Sequence, residues 1–273
     1  MKTLRDKIVI KGIGLHSGKS STLTISPYNK SGIFFSNKNG ISRINEAEIR
    51  EDSRLTGFSL PNGMIVRTGE HLLGALAGME VDSALLELTD NEVPILDGSA
   101  LPFVEAIASV GLVEIDGTPM RSTITQPYFV EENDGKRIIA AFPCDKLRVS
   151  YIIDYSGTPI GVQKVKYDIN ADVFYNVICR ARTFALTREL EYLKENNLAK
   201  GGSLENAMLF DGNGLVGGVK PRLENECVTH KVIDLLGDLT LIGSIPVAHY
   251  VAIAAGHSIH GKLVSLIKRD LRK

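Results

Sequence analysis

The sequence predicts an α+β fold arranged in two domains. Strand-like runs come before helix-like runs, and this order occurs twice along the 273 residues. A stretch rich in Thr, Gly and Pro at residues 114–127 separates the two sets and fits a domain boundary. A chain of this length provides one large domain or two modest ones, at roughly 100–200 residues per domain. We therefore expect an N-terminal domain over residues 1–118 and a C-terminal domain over residues 119–273.

The first half of the chain alternates short strand-like segments with turns. The predicted strands are residues 7–13, 21–26, 32–36 and 83–88. One helix is predicted over residues 70–77, with Gly78 ending it. A second helix follows the capping-type sequence Asp97-Gly-Ser99, has Pro102 in its first turn and ends at Gly111.

The second half repeats the order of strands and helices. Strands are predicted at residues 137–142, 147–155 and, as a continuous apolar run, 248–255. Helices are predicted near residues 171–182, 187–196, 224–236 and 258–271. The sequence lacks the glycine pattern of a nucleotide-binding Rossmann fold or a P-loop, since Gly12-Ile-Gly14 is followed by Leu15 and His16 and not by a helix.

Charge and cysteine content narrow the function classes. Lys and Arg number 31 against 32 Asp and Glu, so no overall basic field predicts binding to nucleic acid or to an anionic membrane. The three cysteines, Cys144, Cys179 and Cys227, are far apart and argue against disulfides or a cysteine-rich zinc site. No apolar segment has the length of a signal peptide or a membrane span. We expect a cytoplasmic protein without stable membrane insertion.

His230 and Asp234 stand in the first pattern that could support chemistry. They are four residues apart on a predicted helix, so they lie on one face and could share a metal ion. The alternative is an ordinary amphipathic helix whose polar face lies in water. The spacing alone favours the alternative.

Two further histidines have suggestive neighbours. Glu70 and His71 open a helix and could supply the base and a ligand that a zinc hydrolase needs. Alternatively, Glu70 only favours the helix dipole and His71 is incidental. His257 follows Gly256 between a strand and a helix, where catalytic groups are common, although a turn histidine explains it equally well.

Taken together, these segments resemble one family, the UDP-3-O-acyl-N-acetylglucosamine deacetylases of the lipid A pathway. The resemblance extends over nearly the whole chain. It is carried by GIGLHSG at residues 12–18, EHL at 70–72, PILDGSALPF at 94–103, ARTF at 181–184, HKVIDLLGD at 230–238 and GH at 256–257.

The resemblance implies a fold and a metal centre. The fold is two similar layered α/β-sandwich domains packed face to face around a zinc site. One catalytic Zn²⁺ per chain is held by His71, His230 and Asp234. Glu70 matches the general base, and His257 matches the histidine that stabilises developing charge and protonates the leaving amine.

The resemblance also implies supporting residues and a substrate. Thr183 matches a hydroxyl that helps to hold the oxyanion, and Asp238 matches the carboxylate that orients the histidine. Lys231 is expected among the catalytic residues and, with Tyr155, to contact the nucleotide half of a UDP-linked, acylated glucosamine. Phe184 is expected to contact the substrate. The only partner expected is this small molecule, and the chain is expected to be a monomer.

An insert after the Arg-Thr-Phe motif is expected to form the apolar passage for the acyl chain. It covers about residues 185–211, and its candidate walls are Thr187, Leu190, Leu193, Leu198 and Ala199. The alternative is that these leucines belong to an ordinary core.

The chain departs from the family pattern at three positions. Gly69 stands where a larger residue is common, and Cys227 is an unusual neighbour for the predicted zinc. Ala254 stands where many members have a phosphate-binding lysine, so we expect Lys231 or Lys262 to bind the phosphates instead. Three alternatives stay open: a zinc hydrolase for another N-acyl sugar, a non-catalytic glycolipid binder, and a zinc-stabilised interaction module.

Overall fold

The structure is a computed structural model that describes residues 1–50 and 56–271. Within them it contains two large sheets, two small three-stranded sheets and six α-helices, which confirms the predicted α+β class. The seven-stranded sheet uses strands between residues 2 and 114, and the five-stranded sheet uses strands between residues 128 and 253. The division into domains of residues 1–118 and 119–273 stays a prediction.

The described part of the first half contains ten strands: β1 (Lys2–Leu4), β2 (Ile8–Ile13), β3 (Ser20–Ser26), β4 (Gly32–Asn37), β5 (Gly40–Arg43), β6 (Glu48–Arg50), β7 (Gly57–Ser59), β8 (Ile65–Val66), β9 (Ser83–Leu88) and β10 (Leu112–Glu114). The first sheet has the order β10-β1-β9-β3-β2, with β4 paired to β9 and β5 to β4. On β3, Leu23 and Ile25 are fully buried and alternate with partly exposed threonines, because successive side chains of a strand point to opposite faces.

Two helices accompany this sheet, α1 (Glu70–Gly78) and α2 (Leu101–Val110). Both match the predicted segments. The α2 helix ends at Gly111, whose φ of 73° suits glycine and whose N–H donates to the carbonyl of Ile107. Strands β6, β7 and β8 form a separate antiparallel sheet immediately before α1.

The second half contains eight strands among its described residues: β11 (Tyr128–Glu132), β12 (Arg137–Phe142), β13 (Arg148–Tyr155), β14 (Gly161–Asp168), β15 (Phe184–Leu186), β16 (Met208–Asp211), β17 (Gly214–Leu215) and β18 (His249–Ile253). The second large sheet has the order β11-β12-β18-β13-β14 and is antiparallel except for the parallel pair of β13 and β18. The predicted strand over residues 248–255 is too long, since Ala254 has a φ of 47° and begins a turn.

Four helices belong to the second half: α3 (Ala171–Asn176), α4 (Leu190–Glu195), α5 (Glu226–Thr240) and α6 (His257–Leu271). The helix predicted over residues 171–182 is wrong beyond Asn176, because Val177 leaves the helical region and a 3-10 turn follows at Ile178–Arg180. The segment predicted over residues 187–196 also divides, into a 3-10 turn at Thr187–Glu189 and α4.

Helix α5 continues past the end predicted at residue 236, to Thr240, and Gly237 lies where it crosses α1. A Cβ atom at Gly237 would lie 2.3 Å from the carbonyl oxygen of Glu70 on α1, so only glycine allows the two helices to approach this closely. Gly74 makes the matching approach from α1, where a Cβ would lie 3.2 Å from Ile233. This close contact places the beginning of α1 beside the middle of α5.

A continuous apolar core joins the sheets to these helices. It includes Leu72, Leu76, Val232, Leu236 and Tyr250, all buried. Within residues 1–50 and 56–271, no helix is long and apolar enough to span a bilayer.

Candidate metal and catalytic site

The contact between α1 and α5 brings two histidines and one carboxylate together. The Nε2 atoms of His71 and His230 are 3.3 Å apart. Asp234 Oδ1 lies 3.3 Å from Nε2 of His230 and 3.9 Å from Nε2 of His71. All three side chains are buried. The reading of this helix face as a polar surface in water is therefore wrong.

The geometry of these three residues fits a tetrahedral metal ion. Metal–ligand bonds of about 2.0–2.2 Å place neighbouring ligand atoms about 3.3–3.6 Å apart. Asp234 Oδ1 is buried and has no hydrogen-bond partner among the described residues, so a cation would satisfy it. The Nδ1 of His230 donates to the carbonyl of Ala181 at 2.9 Å, which leaves its Nε2 free to bind a metal.

Burial sets the charge of the ligand atoms. It lowers the pKa of His71 to about 3, with a contribution from His230, and it also lowers the pKa of His230. Both imidazoles are therefore neutral, which is the form that binds metals. Burial opposes the charged form of Asp234, but Lys231, whose Nζ is 2.7 Å from Oδ2, and the histidines hold its pKa far below the usual range.

Glu70 is buried beside the three candidate ligands, but its carboxyl group does not belong to the cluster of His71, His230 and Asp234. Burial raises the pKa of its carboxyl to about 7, while the nearby His257 opposes this shift. The backbone N–H of Thr56 donates to its Oε2 at 3.2 Å. A carboxylate whose pKa lies near 7 can both accept and release a proton at neutral pH, as a general base must.

His257 is the first residue of α6 and faces the same space. Its Nδ1 donates to Asp238 Oδ2 at 2.9 Å, while its Nε2 lies 3.9 Å from Glu70 Oε1 and 3.7 Å from Asp234 Oδ2. Burial alone would lower the pKa of His257, but the three carboxylates, Asp238 foremost, raise it to about 9. The imidazole is therefore cationic at neutral pH and can donate a proton.

The segment that carries Thr183 is fixed to the ligand helix. Arg182 donates from its backbone and from Nε to Glu226 Oε1 at 3.0 and 2.8 Å, and from Nη2 to Oε2 at 3.1 Å. The N–H of Thr183 donates to the carbonyl of Gly98 at 2.8 Å. The role of the Thr183 hydroxyl toward an oxyanion stays a prediction.

Tyr155, Phe184 and Lys231 form a cluster. The rings of Tyr155 and Phe184 meet edge to face with centroids 5.5 Å apart, and Lys231 Nζ lies 5.6 Å from the centre of the Phe184 ring. Two rings and a cation suit a flat base or an anionic group. Their contact with substrate stays a prediction.

The insert at residues 185–211 packs on residues 14–18, which follow β2. The N–H of Ala199 donates to His16 Nδ1 at 3.3 Å, and the N–H of Gly201 donates to the carbonyl of Leu15 at 2.9 Å. Leu193 is buried, whereas Leu190 is 42% exposed. The roles of Leu190 and Ala199 in an acyl passage stay predictions.

The positions that depart from the family pattern have local explanations. A Cβ at Gly69 would lie 3.3 Å from the ring of Phe58, which leaves little room for a larger residue. Cys227 is buried, and burial raises its pKa to about 12, so this thiol is unreactive as a nucleophile. The positive φ of Ala254 marks the turn that leads from β18 to His257.

Sequence reasoning missed Thr56 and His260, which contact Asp238, and Tyr151, which contacts His260. His260 Nδ1 donates to Asp238 Oδ2 at 2.8 Å, and the hydroxyl of Thr56 donates to Oδ1. Asp238, His257 and His260 lie close enough to hold a metal, but an ionised carboxylate only accepts hydrogen bonds, so both Nδ1 atoms donate to it and are not free to bind a metal. The signal available in the sequence was the spacing of His257 and His260, three residues apart on one helix.

The fold and the site define a class of protein. Two histidines and a carboxylate converge from two helices, with a separate buried carboxylate and a cationic histidine beside them. This set of groups is typical of hydrolases that use a single metal ion and leave one coordination position open.

Comparison with known proteins identifies the family. The family model described as UDP-3-O-acyl N-acetylglycosamine deacetylase matches residues 1–269. A UDP-3-O-acyl-N-acetylglucosamine deacetylase of Trichormus variabilis is 39% identical over 274 residues, with 97% of each chain covered. A protein of the same name from Synechocystis is 37% identical, over 99% of each chain. Another from Chlamydia caviae is 36% identical, over 94% of this chain and 92% of its own length. The chain belongs to the UDP-3-O-acyl-N-acetylglucosamine deacetylase family.

Proposed function

We propose that the chain hydrolyses the N-acetyl amide of a UDP-3-O-acyl-N-acetylglucosamine and releases acetate, an early step of lipid A biosynthesis. One zinc ion per chain, held by His71, His230 and Asp234, serves the reaction. The membership of the family supports the substrate, and the donor set supports the metal. The cytoplasmic location and the monomeric state stay predictions.

One observation carries the proposal: Glu70 and His257 face each other beside the three ligands without being ligands themselves. Their Oε1 and Nε2 atoms are 3.9 Å apart, and their pKa values are raised to about 7 and about 9. Between pH 7 and 9 the enzyme therefore holds a carboxylate base and an imidazolium acid together. A protein that only bound the glycolipid would have no need of this pair.

The residues divide the work of amide hydrolysis. When bound, zinc would polarise the amide carbonyl and make a water molecule more acidic. The carboxylate of Glu70 accepts the proton that the attacking water loses. The cationic His257, held by Asp238, stabilises the negative charge that develops and gives its proton to the departing amine. The hydroxyl of Thr183 assists at the carbonyl oxygen.

Substrate binding uses the cluster of Tyr155, Phe184 and Lys231. The two rings offer faces for the uracil base, and Lys231, whose pKa Asp234 raises against the effect of burial, stays charged to meet the phosphates. Leu190 and Ala199 on the insert are assigned to the acyl chain.

The experiment that tests the proposal measures acetate release from the UDP-linked substrate. The protein as purified, the protein treated with a chelator, and the chelated protein resupplied with zinc are compared. We expect activity in the first sample, its loss in the second and its return in the third. Free N-acetylglucosamine should react much more slowly, since it offers nothing to Lys231 and the aromatic rings.

Asp234→Asn tests the metal assignment. The amide is a poorer zinc ligand and carries no negative charge, so zinc and activity should fall together. Asp172→Asn is the matched control, because Asp172 is exposed on α3 and its side chain accepts only from Asn176 among the described residues. Full zinc content in Asp234→Asn would remove Asp234 from the ligand set. Equal activity with and without the chelator would overturn the zinc proposal.

A further inference from the structure

A second histidine shares the carboxylate that holds His257. Asp238 Oδ2 accepts from Nδ1 of His257 at 2.9 Å and from Nδ1 of His260 at 2.8 Å. His260 has no exposed surface. It lies one helical turn beyond His257 on α6, so the two imidazoles approach the same oxygen from one helix.

The other side of His260 is anchored to the sheet. Its Nε2 lies 3.0 Å from the hydroxyl of Tyr151 on β13, and that hydroxyl lies 3.0 Å from the carbonyl of Ala255. Tyr151 is fully buried. The contacts therefore form a chain from the backbone just before α6, through Tyr151 and His260, to Asp238 and His257.

This chain restrains a side chain that would otherwise be free to rotate. A carboxylate with a single partner can turn about its Cβ–Cγ bond, whereas a carboxylate with donors on both oxygens cannot do so without losing bonds. The hydroxyl of Thr56 donates to Oδ1, and the two histidines donate to Oδ2. The direction of His257 toward Glu70 depends on this carboxylate.

Stability alone does not explain why Tyr151 and His260 are buried together. Burying a hydroxyl and an imidazole costs desolvation that an apolar pair of similar size would avoid. The hydrogen bonds described for these side chains lead to Asp238 and to the backbone beside His257. The desolvation cost of Tyr151 and His260 is offset by a benefit of another kind, a fixed position for the acid His257.

We propose that His260 is a positioning residue for amide hydrolysis: through the Asp238 carboxylate it fixes the imidazole of His257, and Tyr151 fixes His260 in turn. The inference rests on the proposed function, since His257 must be the proton donor for its position to limit the rate. It assigns to this chain a four-residue unit, Tyr151–His260–Asp238–His257, in place of a histidine–carboxylate pair.

The test compares His260→Leu with His260→Asn in the zinc-loaded protein. Leucine removes the donor, while the Nδ2 of asparagine is as many bonds from the backbone as Nδ1 of histidine and can donate to Asp238. We expect kcat to fall roughly tenfold in His260→Leu, as is usual when such outer partners are lost, with KM and zinc content unchanged. His260→Asn should recover most of kcat, and Tyr151→Phe should show a smaller loss.

His249→Leu is the matched control. His249 lies at the end of β18 away from His257 and shares a hydrogen bond of 2.9 Å with Ser150, so its loss removes a half-buried imidazole contact away from Asp238. The kcat of His249→Leu should equal that of the parent. If His260→Leu does not fold, as judged by its thermal transition, the comparison of Tyr151→Phe with the parent decides in its place.

A second measurement does not depend on turnover. The Nδ1 proton of His257 should give a sharp downfield NMR signal in the parent and in His260→Asn, and a broadened signal in His260→Leu. A sharp signal and parental kcat in folded His260→Leu would overturn the positioning role. If the parent releases no acetate, the proposed function fails, and the NMR comparison still decides whether His260 fixes His257.

Discussion

Gly237→Ala places a methyl group against the backbone of the helix that carries Glu70 and His71. The added Cβ would lie 2.3 Å from the carbonyl oxygen and 2.6 Å from the Cα of Glu70. Because an ordinary contact begins at about 3.4 Å, α1 and α5 have to separate by about 1.1 Å. This displacement acts directly on the base and on the distance between ligands from the two helices.

The effects on stability and rate have different sizes. Overpacking at a backbone contact costs about 3 kcal/mol at the upper end of the usual range, and alanine regains about 1 kcal/mol of helix propensity. The net loss of about 2 kcal/mol corresponds to a fall in Tm of roughly 4–8 °C. A misplacement of about 1 Å in a catalytic group lowers the rate by about 10²-fold.

The assay measures Tm, zinc content and acetate release for Gly237→Ala, Gly74→Ala and Gly212→Ala. A Cβ at Gly74 would lie 3.2 Å from Ile233, and a Cβ at Gly212 meets nothing within 4 Å. We expect a graded series in which Gly237→Ala loses most and Gly212→Ala matches the parent. Parental activity and Tm in Gly237→Ala would refute the argument that the helix approach sets the site.

Two further predictions concern chemistry and specificity. Glu70→Gln should keep its zinc and lose about 10²–10⁴-fold in rate, the usual contribution of a positioned general base. Because Glu70 acts as the carboxylate and has a pKa of about 7, the acidic limb of the parent's pH–rate profile should vanish in this variant, while the basic limb near pH 9 from His257 remains. Loss of zinc would instead make Glu70 a ligand. Ala199→Phe should impair long acyl substrates more than short ones, and Ala199→Gly controls for the positive φ of 53° at this position. Equal losses across chain lengths would remove Ala199 from the passage.

Local patterns in the sequence determined much of the secondary structure. The predicted segments over residues 70–77 and 83–88 agree with α1 and β9, because apolar periodicity and a terminal glycine are local signals. The division of residues 171–182 was not predictable in this way, since Arg182, just after the 3-10 turn, bonds to Glu226, which lies 44 residues later.

The candidate site shows the same division between local and tertiary information. The spacing of His230 and Asp234 indicated one helix face, but it could not distinguish a metal site from a polar surface in water. Burial of that face distinguishes them, and burial depends on α1 docking against Gly237. No local pattern joins His71 to His230 across 159 residues.

The sequence by itself determined the residue types, their helical spacing and a resemblance strong enough to indicate the chemistry. Only the tertiary structure decided which groups are buried together, and that burial raises the pKa of Glu70 and leaves the ligand histidines neutral. It also revealed His260 and Tyr151 behind Asp238. The physical reason is that desolvation and hydrogen-bond geometry arise from contacts between distant segments, which a linear pattern does not contain.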